Sequence, residues 1–202
     1  MKVFRLLYID DEIDPLLSEY LDKKLPGSIE DKDITLEYSE LQFAPVDGYR
    51  SLLSNGNVLS SNIILIDSRL FEDRNAEDGK FSGEEFKIIL KKFYPFIDVI
   101  VITQNGADEN VDTLPKYNPE SGKQADEFYD SFLPDYVERA ISQKRIFDNL
   151  ATRLNENSSW EPLLKERVIA TLEGTESYSE LTKKDIDDLI VAFREILEKM
   201  DE

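Results

Sequence analysis

Residues 6–12 read LLYIDDE, an apolar run of Leu6, Leu7, Tyr8 and Ile9 that passes straight into Asp10, Asp11 and Glu12. An unbroken apolar run bounded by charge is the pattern of a strand buried on both faces, as in a parallel sheet. Residues 63–70, IILIDSRL, repeat the pattern and meet one acid, Asp67. Residues 99–103, VIVIT, repeat it again and end on the hydroxyl of Thr103. Buried strands are predicted at 4–9, 63–66 and 99–102. ITLEY at 34–38 alternates and predicts a more exposed strand of the same sheet.

Between these runs the spacing turns helical. Leu16, Leu17, Tyr20, Leu21 and Leu25 share one face. Tyr49, Leu52 and Leu53 make a short helix that Asn55-Gly56-Asn57 would end. A helix over 85–94 follows a start at Ser82-Gly83, aligns Phe86, Ile89, Leu90 and Phe93, and stops before Pro95. Strands alternating with helices predict a doubly wound parallel sheet. After the fourth strand the pattern weakens. Residues 104–124 hold no clear amphipathic helix, and a short strand fits only around 111–114. Helical spacing returns at 128–133 and 134–154, where Pro134 suits a first turn or a kink.

Asn155–Ser159, NENSS, reads as a linker, which divides the chain into an α/β domain over 1–154 and a helical region over 155–202. Residues 160–172 and 183–200 read as two amphipathic helices. Thr182 suits the N-cap of the second, with Asp185 at its third position. Ile186, Leu189, Ile190, Phe193, Ile196 and Leu197 form its apolar stripe. With Trp160, Leu163 and Leu164 they offer more apolar surface than two short helices hide from each other, so a partner or a second copy is expected there.

Composition sets outer bounds. The chain has 202 residues, 41% of them hydrophobic and 33% charged, enough to bury a core under a heavily charged surface. A formal net charge of -19 repels phosphate backbones and anionic lipid, so neither nucleic acid nor a membrane surface is an expected partner. Cysteine and histidine are absent, which removes disulfides, thiol catalysis, histidine metal sites and Ser-His triads. No apolar run approaches the roughly 20 residues of a membrane span. MKVFRLLYIDDE lacks the apolar core and cleavage site of a signal peptide, so a cytoplasmic setting is expected.

In an open α/β sheet, ligands bind beyond the carboxyl ends of the strands. Those ends carry Asp10-Asp11-Glu12, then Asp67, then Thr103. Carboxylate oxygens without nitrogen or sulfur donors suit a hard divalent cation, most naturally Mg²⁺. Gathering the acids with no cation would be costly.

Ile9-Asp10-Asp11-Glu12, Leu65-Ile66-Asp67 and Val101-Ile102-Thr103, in this order, resemble the response-regulator receiver domains of two-component signalling. The resemblance implies a five-stranded, flavodoxin-like parallel sheet. It implies that Asp67 accepts a phosphoryl group from a histidine kinase or a small phosphodonor. It assigns Asp10, Asp11, Asp67 and the main-chain carbonyl of Arg69 to Mg²⁺, and makes Thr103 the switch hydroxyl. It also requires a lysine at the end of the fifth strand, for which Lys116 is the first candidate and Lys123 the fallback.

The chain departs from the family in four respects. Pro115-Lys116 stands where the family has Lys-Pro, and Thr113 where it has an aromatic switch residue. The gap from Thr103 to Lys116 implies a reduced fourth helix. An acid-rich insertion, FEDRNAEDGK, separates Asp67 from Gly83. The expected role is a signalling protein that switches a protein–protein contact, not an enzyme. One alternative is a phosphorylation-independent pseudo-receiver acting as an adaptor. Another is a Mg²⁺-dependent aspartyl phosphohydrolase of the haloacid-dehalogenase type. That class wants two aspartates one residue apart. Here Asp10 and Asp11 are adjacent, which on a strand would point them to opposite sides.

Overall fold

A computed structural model describes residues 2–44, 49–70, 82–104, 113–157 and 162–173. Five parallel strands form one sheet: β1 (Lys2–Asp10), β2 (Ile34–Gln42), β3 (Ile63–Asp67), β4 (Asp98–Thr103) and β5 (Thr113–Pro115). Their order is β2-β1-β3-β4-β5, the flavodoxin-like order that the receiver resemblance implies, with a topological switch point between β1 and β3.

The apolar runs form the middle of the sheet because both of their faces are covered. Leu6 and Tyr8 point into one layer and Leu7 and Ile9 into the other, as strand alternation requires. The first layer is a helical segment, α1 (Pro15–Glu19) continuing through a π-turn (Tyr20–Lys24) into α2 (Leu25–Ser28), together with α6 (Ala125–Asp130) and α7 (Leu133–Glu156). The second layer is α3 (Tyr49–Leu53), α4 (Gly56–Ser60) and α5 (Gly83–Phe93). Phe4, Tyr8, Tyr20 and Tyr129 fill the first core, and Phe86 and Leu90 anchor the second.

Several elements differ from their sequence patterns for identifiable reasons. β2 extends beyond 34–38 to Gln42 because it pairs residue for residue with β1, from Lys2↔Ile34 to Asp10↔Gln42. It lies at the sheet edge, so the polar stretch Ser39–Gln42 can join the ladder without burial on both faces. The leucine spacing of the first helix hides a π-turn, in which the Leu25 N–H donates to the Tyr20 carbonyl. Pro26 lacks an N–H and its ring crowds the carbonyl four residues back, which widens the turn there. Asn55 ends α3 as expected, but its side chain also accepts from the Asn57 N–H at 2.9 Å and so starts α4.

At α5, Ser82 and Glu85 form a capping box. The Ser82 hydroxyl accepts from the Glu85 N–H at 3.2 Å, and the Glu85 carboxylate accepts from the Ser82 N–H at 3.1 Å. At the opposite sheet edge, β5 tolerates Pro115 because one side of an edge strand needs no donor. The start of the strand expected at 111–114 lies outside the described residues. So do 105–112, where the reduced fourth helix is expected, and the whole acid-rich insertion FEDRNAEDGK.

α7 runs through Asn155 and Glu156 and is capped by Asn157, so the first two residues of the expected linker are helical, and Ser158 and Ser159 lie outside the described residues. α8 (Pro162–Glu173) packs against α7. Lys165 on α8 donates to the Asn155 carbonyl and, at 3.1 Å, to the Asn157 carbonyl, which places a cation on the carbonyl end of α7. Trp160, Thr182 and the helix expected over 183–200 lie outside the described residues. Among the described residues, no helix is long and apolar enough to cross a membrane.

Candidate functional site

The pairing of Ile9 with Ile66 brings the next residues, Asp10 and Asp67, side by side at the carboxyl ends of β1 and β3. Both are buried, at 1% and 6% exposure, whereas Asp11 is exposed. One carboxylate oxygen each from Asp10, Asp11 and Asp67 lies within 4.8 Å of the other two. Adjacent residues on a strand point to opposite faces, but β1 ends at Asp10. Asp11 lies past that end, so both carboxylates reach one cluster. The alternation expected for this pair therefore does not hold.

Lys116 completes the cluster. It follows β5 directly, and its N–H donates to the Thr103 carbonyl at 2.8 Å, carrying the β4–β5 ladder one step further. Its buried ammonium lies 2.7 Å from Asp10 Oδ2 and 2.6 Å from Asp67 Oδ1. Burial pulls the Lys116 pKa down, but hydrogen bonds and charge from Asp10 and Asp67 outweigh it and hold the group above the ordinary lysine value. Asp11 is pushed above the ordinary carboxylate range, first by loss of water and then by Asp10 and Asp67.

Main-chain amides fix the acids further. Asp67 Oδ2 accepts from the Arg69 N–H at 2.7 Å, and Asp10 Oδ1 accepts from the Glu12 N–H at 3.2 Å. Asp10 Oδ2 also accepts from the Tyr8 hydroxyl, which itself accepts from the Asp14 N–H at 3.3 Å. The cluster opens into a cleft of about 470 Å³, lined on its polar side by Asp10, Asp11, Glu12, Asp67, Arg69 and Lys116. Three carboxylates against one ammonium leave an excess of negative charge. The all-oxygen donor set and this charge both fit a hard divalent cation.

The other sequence-derived residues fall as follows. Arg69 lines the cleft, and its side chain is exposed. Thr103 is buried at the end of β4, and the wall of the cleft there is formed by the next residue, Gln104. Lys123 is exposed and outside the cleft lining, with its carbonyl accepting from the Tyr117 hydroxyl at 2.7 Å, so the lysine at the acids is Lys116. Glu12 lines the cleft but is not part of the three-acid cluster.

Two residues support the site without having been marked by the motifs. One is Tyr8, whose position two before Asp10 on a strand puts both side chains on one face, a signal present in LLYIDDE. The other is Gly83, the first residue of α5. A Cβ there would overlap the Asp67 carbonyl oxygen and stand 3.1 Å from its carbonyl carbon. The Gly83 N–H donates to the Ser68 carbonyl at 3.1 Å, so α5 begins directly against the main chain that carries Asp67.

No family model matches the chain, and no curated protein matches it. A solved structure that it resembles is described as a two-component transcriptional regulator AraC from Clostridium phytofermentans ISDg. The two are 18% identical, with a TM-score of 0.45, and the match covers 73% of this chain and 98% of that one. Strand order and the two core layers carry the fold assignment.

Proposed function

We propose that this chain is a response-regulator-like switch in which Asp67 accepts a phosphoryl group and Asp10, Asp11, Asp67 and the Arg69 carbonyl hold Mg²⁺. The observation that carries this reading is the buried Lys116 ammonium bridging Asp10 and Asp67. A lysine so placed can neutralise charge on a phosphoryl group arriving at Asp67. Bound Mg²⁺ would supply the remaining neutralisation of the phosphoryl oxygens. The Arg69 amide holds Asp67 Oδ2 and fixes the plane of the carboxylate. With acetyl phosphate, an Asp67 oxygen forms the new O–P bond while the phosphorus–acetate bond breaks, and acetate leaves with the electron pair. A phosphohistidine of a histidine kinase would serve as donor in the same way, the imidazole nitrogen keeping the pair. Thr103 is the hydroxyl that would respond to the product in this reading. The absence of cysteine suits a cytoplasmic setting.

Incubation with acetyl phosphate and Mg²⁺ tests the proposal. Intact-mass analysis is expected to show one added phosphoryl group in the wild type and none in Asp67→Ala. A wild type that gains no mass would leave the second reading, an adaptor that does not use phosphorylation. One observation favours that second reading: Tyr8 and Lys116 already satisfy Asp10 with protein donors.

Output through a protein contact at the C-terminal helices belongs to the same proposal. Ile146 on α7 and Leu163 on α8 are large apolar side chains left 64% and 67% exposed, which supports it. Sedimentation equilibrium is expected to show self-association that Leu163→Asp weakens. A concentration-independent monomer in both would remove the homodimer.

A further inference from the structure

We infer that Tyr8 is a positioning residue that makes the acid site selective for Mg²⁺ over Ca²⁺, by leaving Asp10 a single oxygen to offer a cation. The inference rests on the Mg²⁺ reading of the cluster given above.

A carboxylate offers about four lone-pair positions, two on each oxygen. On Asp10 Oδ2 both are taken, by the Tyr8 hydroxyl and by the Lys116 ammonium. On Oδ1 one is taken, by the Glu12 N–H at 3.2 Å. The remaining position on Oδ1 is the one left for a metal, so Asp10 can ligate through one oxygen only.

Tyr8 is well suited to enforce this. Its ring is completely buried in the core layer it shares with Phe4, Leu6 and the buried leucines of the α1–α2 segment, and such packing restrains the hydroxyl. The Asp14 N–H donates to the same hydroxyl at 3.3 Å, which leaves the phenolic proton aimed at Asp10. Asp14 is itself held as the N-cap of α1, accepting from the Leu16 N–H at 2.9 Å. The orientation of Asp10 is thus anchored in the start of a helix as well as in the strand.

The consequence follows from what each cation demands. Mg²⁺ requires near-ideal octahedral geometry with few carboxylate oxygens and several waters, whereas Ca²⁺ accepts six to eight oxygens and two from one carboxylate. Without the phenol, one position on Oδ2 beside the Lys116 ammonium becomes free, and Asp10 can offer a cation both oxygens. That loosens the geometry Mg²⁺ needs while adding a ligand that Ca²⁺ can use.

Isothermal titration of Mg²⁺ and of Ca²⁺ into wild type, Tyr8→Phe and Asp11→Asn is the test. Tyr8→Phe keeps the ring in the core and removes one oxygen. It is expected to weaken Mg²⁺ on the order of tenfold, the usual scale for a group that orients a metal ligand. Ca²⁺ affinity is expected to stay within about twofold or to rise. Equal losses for both cations, or no change in either, would overturn the inference while leaving the Mg²⁺ site intact. A wild type that binds neither cation would overturn the Mg²⁺ reading, and the inference with it. Asp11→Asn is expected to weaken both cations, which marks the binding as that of the acid cluster. Should Tyr8→Phe fail to fold by circular dichroism, the wild type decides through the ¹³Cζ resonance of Tyr8. That resonance is expected to hold its position on Mg²⁺ saturation, and movement to the value of a free phenol would overturn the inference.

Discussion

Lys116→Met is expected to lower stability at neutral pH by about 3–5 kcal/mol, the scale for removing one partner of a buried ion pair. Lys116 is the cation between two carboxylates that are themselves almost fully buried. Methionine fills a similar volume but leaves Asp10 and Asp67 facing each other uncompensated. Urea denaturation followed by circular dichroism measures the loss. A loss below about 1 kcal/mol would mean that the group behaves as a solvated surface pair. The double variant Lys116→Met with Asp67→Asn is expected to recover part of the loss, because it removes one of the two opposed charges. The pH dependence has a definite sign. The folded-state pKa of Lys116 lies above its ordinary value of 10.5, so its contribution is fully present below about pH 10.5 and fades as pH rises through the folded value. In Lys116→Met that alkaline loss is expected to be absent.

Gly83→Ala is expected to destabilise by about 1–3 kcal/mol, although alanine is the better helix former by up to about 1 kcal/mol. The obstacle is the main chain of Asp67 and Ser68, with Ser68 Cα at 3.2 Å from the added carbon, and a main chain at a sheet end cannot rotate away as a side chain can. Either α5 moves out or the end of β3 moves back, and the second displaces the proposed phosphoryl acceptor. Phosphoryl labelling and Mg²⁺ affinity are therefore expected to fall with stability. Gly27→Ala is the control: a Cβ there meets nothing within 4 Å, so it is expected to be neutral or stabilising. Equal behaviour of the two variants would refute the close approach of α5 to Asp67.

The acids and the lysine were legible because chemistry and position coincide in them. Asp10, Asp67 and Lys116 each stand where an apolar run or short strand stops, and parallel order then brings strand ends to one edge. Tyr8 was hidden because a buried tyrosine in an apolar run reads as core, which its ring is, while its hydroxyl serves the site. Gly83 was hidden because a glycine at a helix start also reads as a start signal, and only the packing of α5 on β3 shows what it avoids. The length of β2 was hidden because pairing with β1, not the composition of Ser39–Gln42, sets it. The π-turn was hidden because Tyr20, Leu21 and Leu25 keep a helical spacing through it.

Asp10 and Lys116 stand 106 positions apart in the chain, and that separation bears on how the protein is made. As synthesis proceeds from the N-terminus, β1 and β3 emerge with their buried acids long before the lysine that neutralises them. A nascent chain ending before β5 would have to bury Asp10 and Asp67 with no cation of its own, at the cost of uncompensated charge. Such a chain is expected to stay open, or to fold only by binding an ion from solution. The last strand is one of the smallest elements of the sheet, yet its arrival is expected to license the closure of all the others. Fragments ending before residue 113 are accordingly expected to be sensitive to proteases where the complete chain resists.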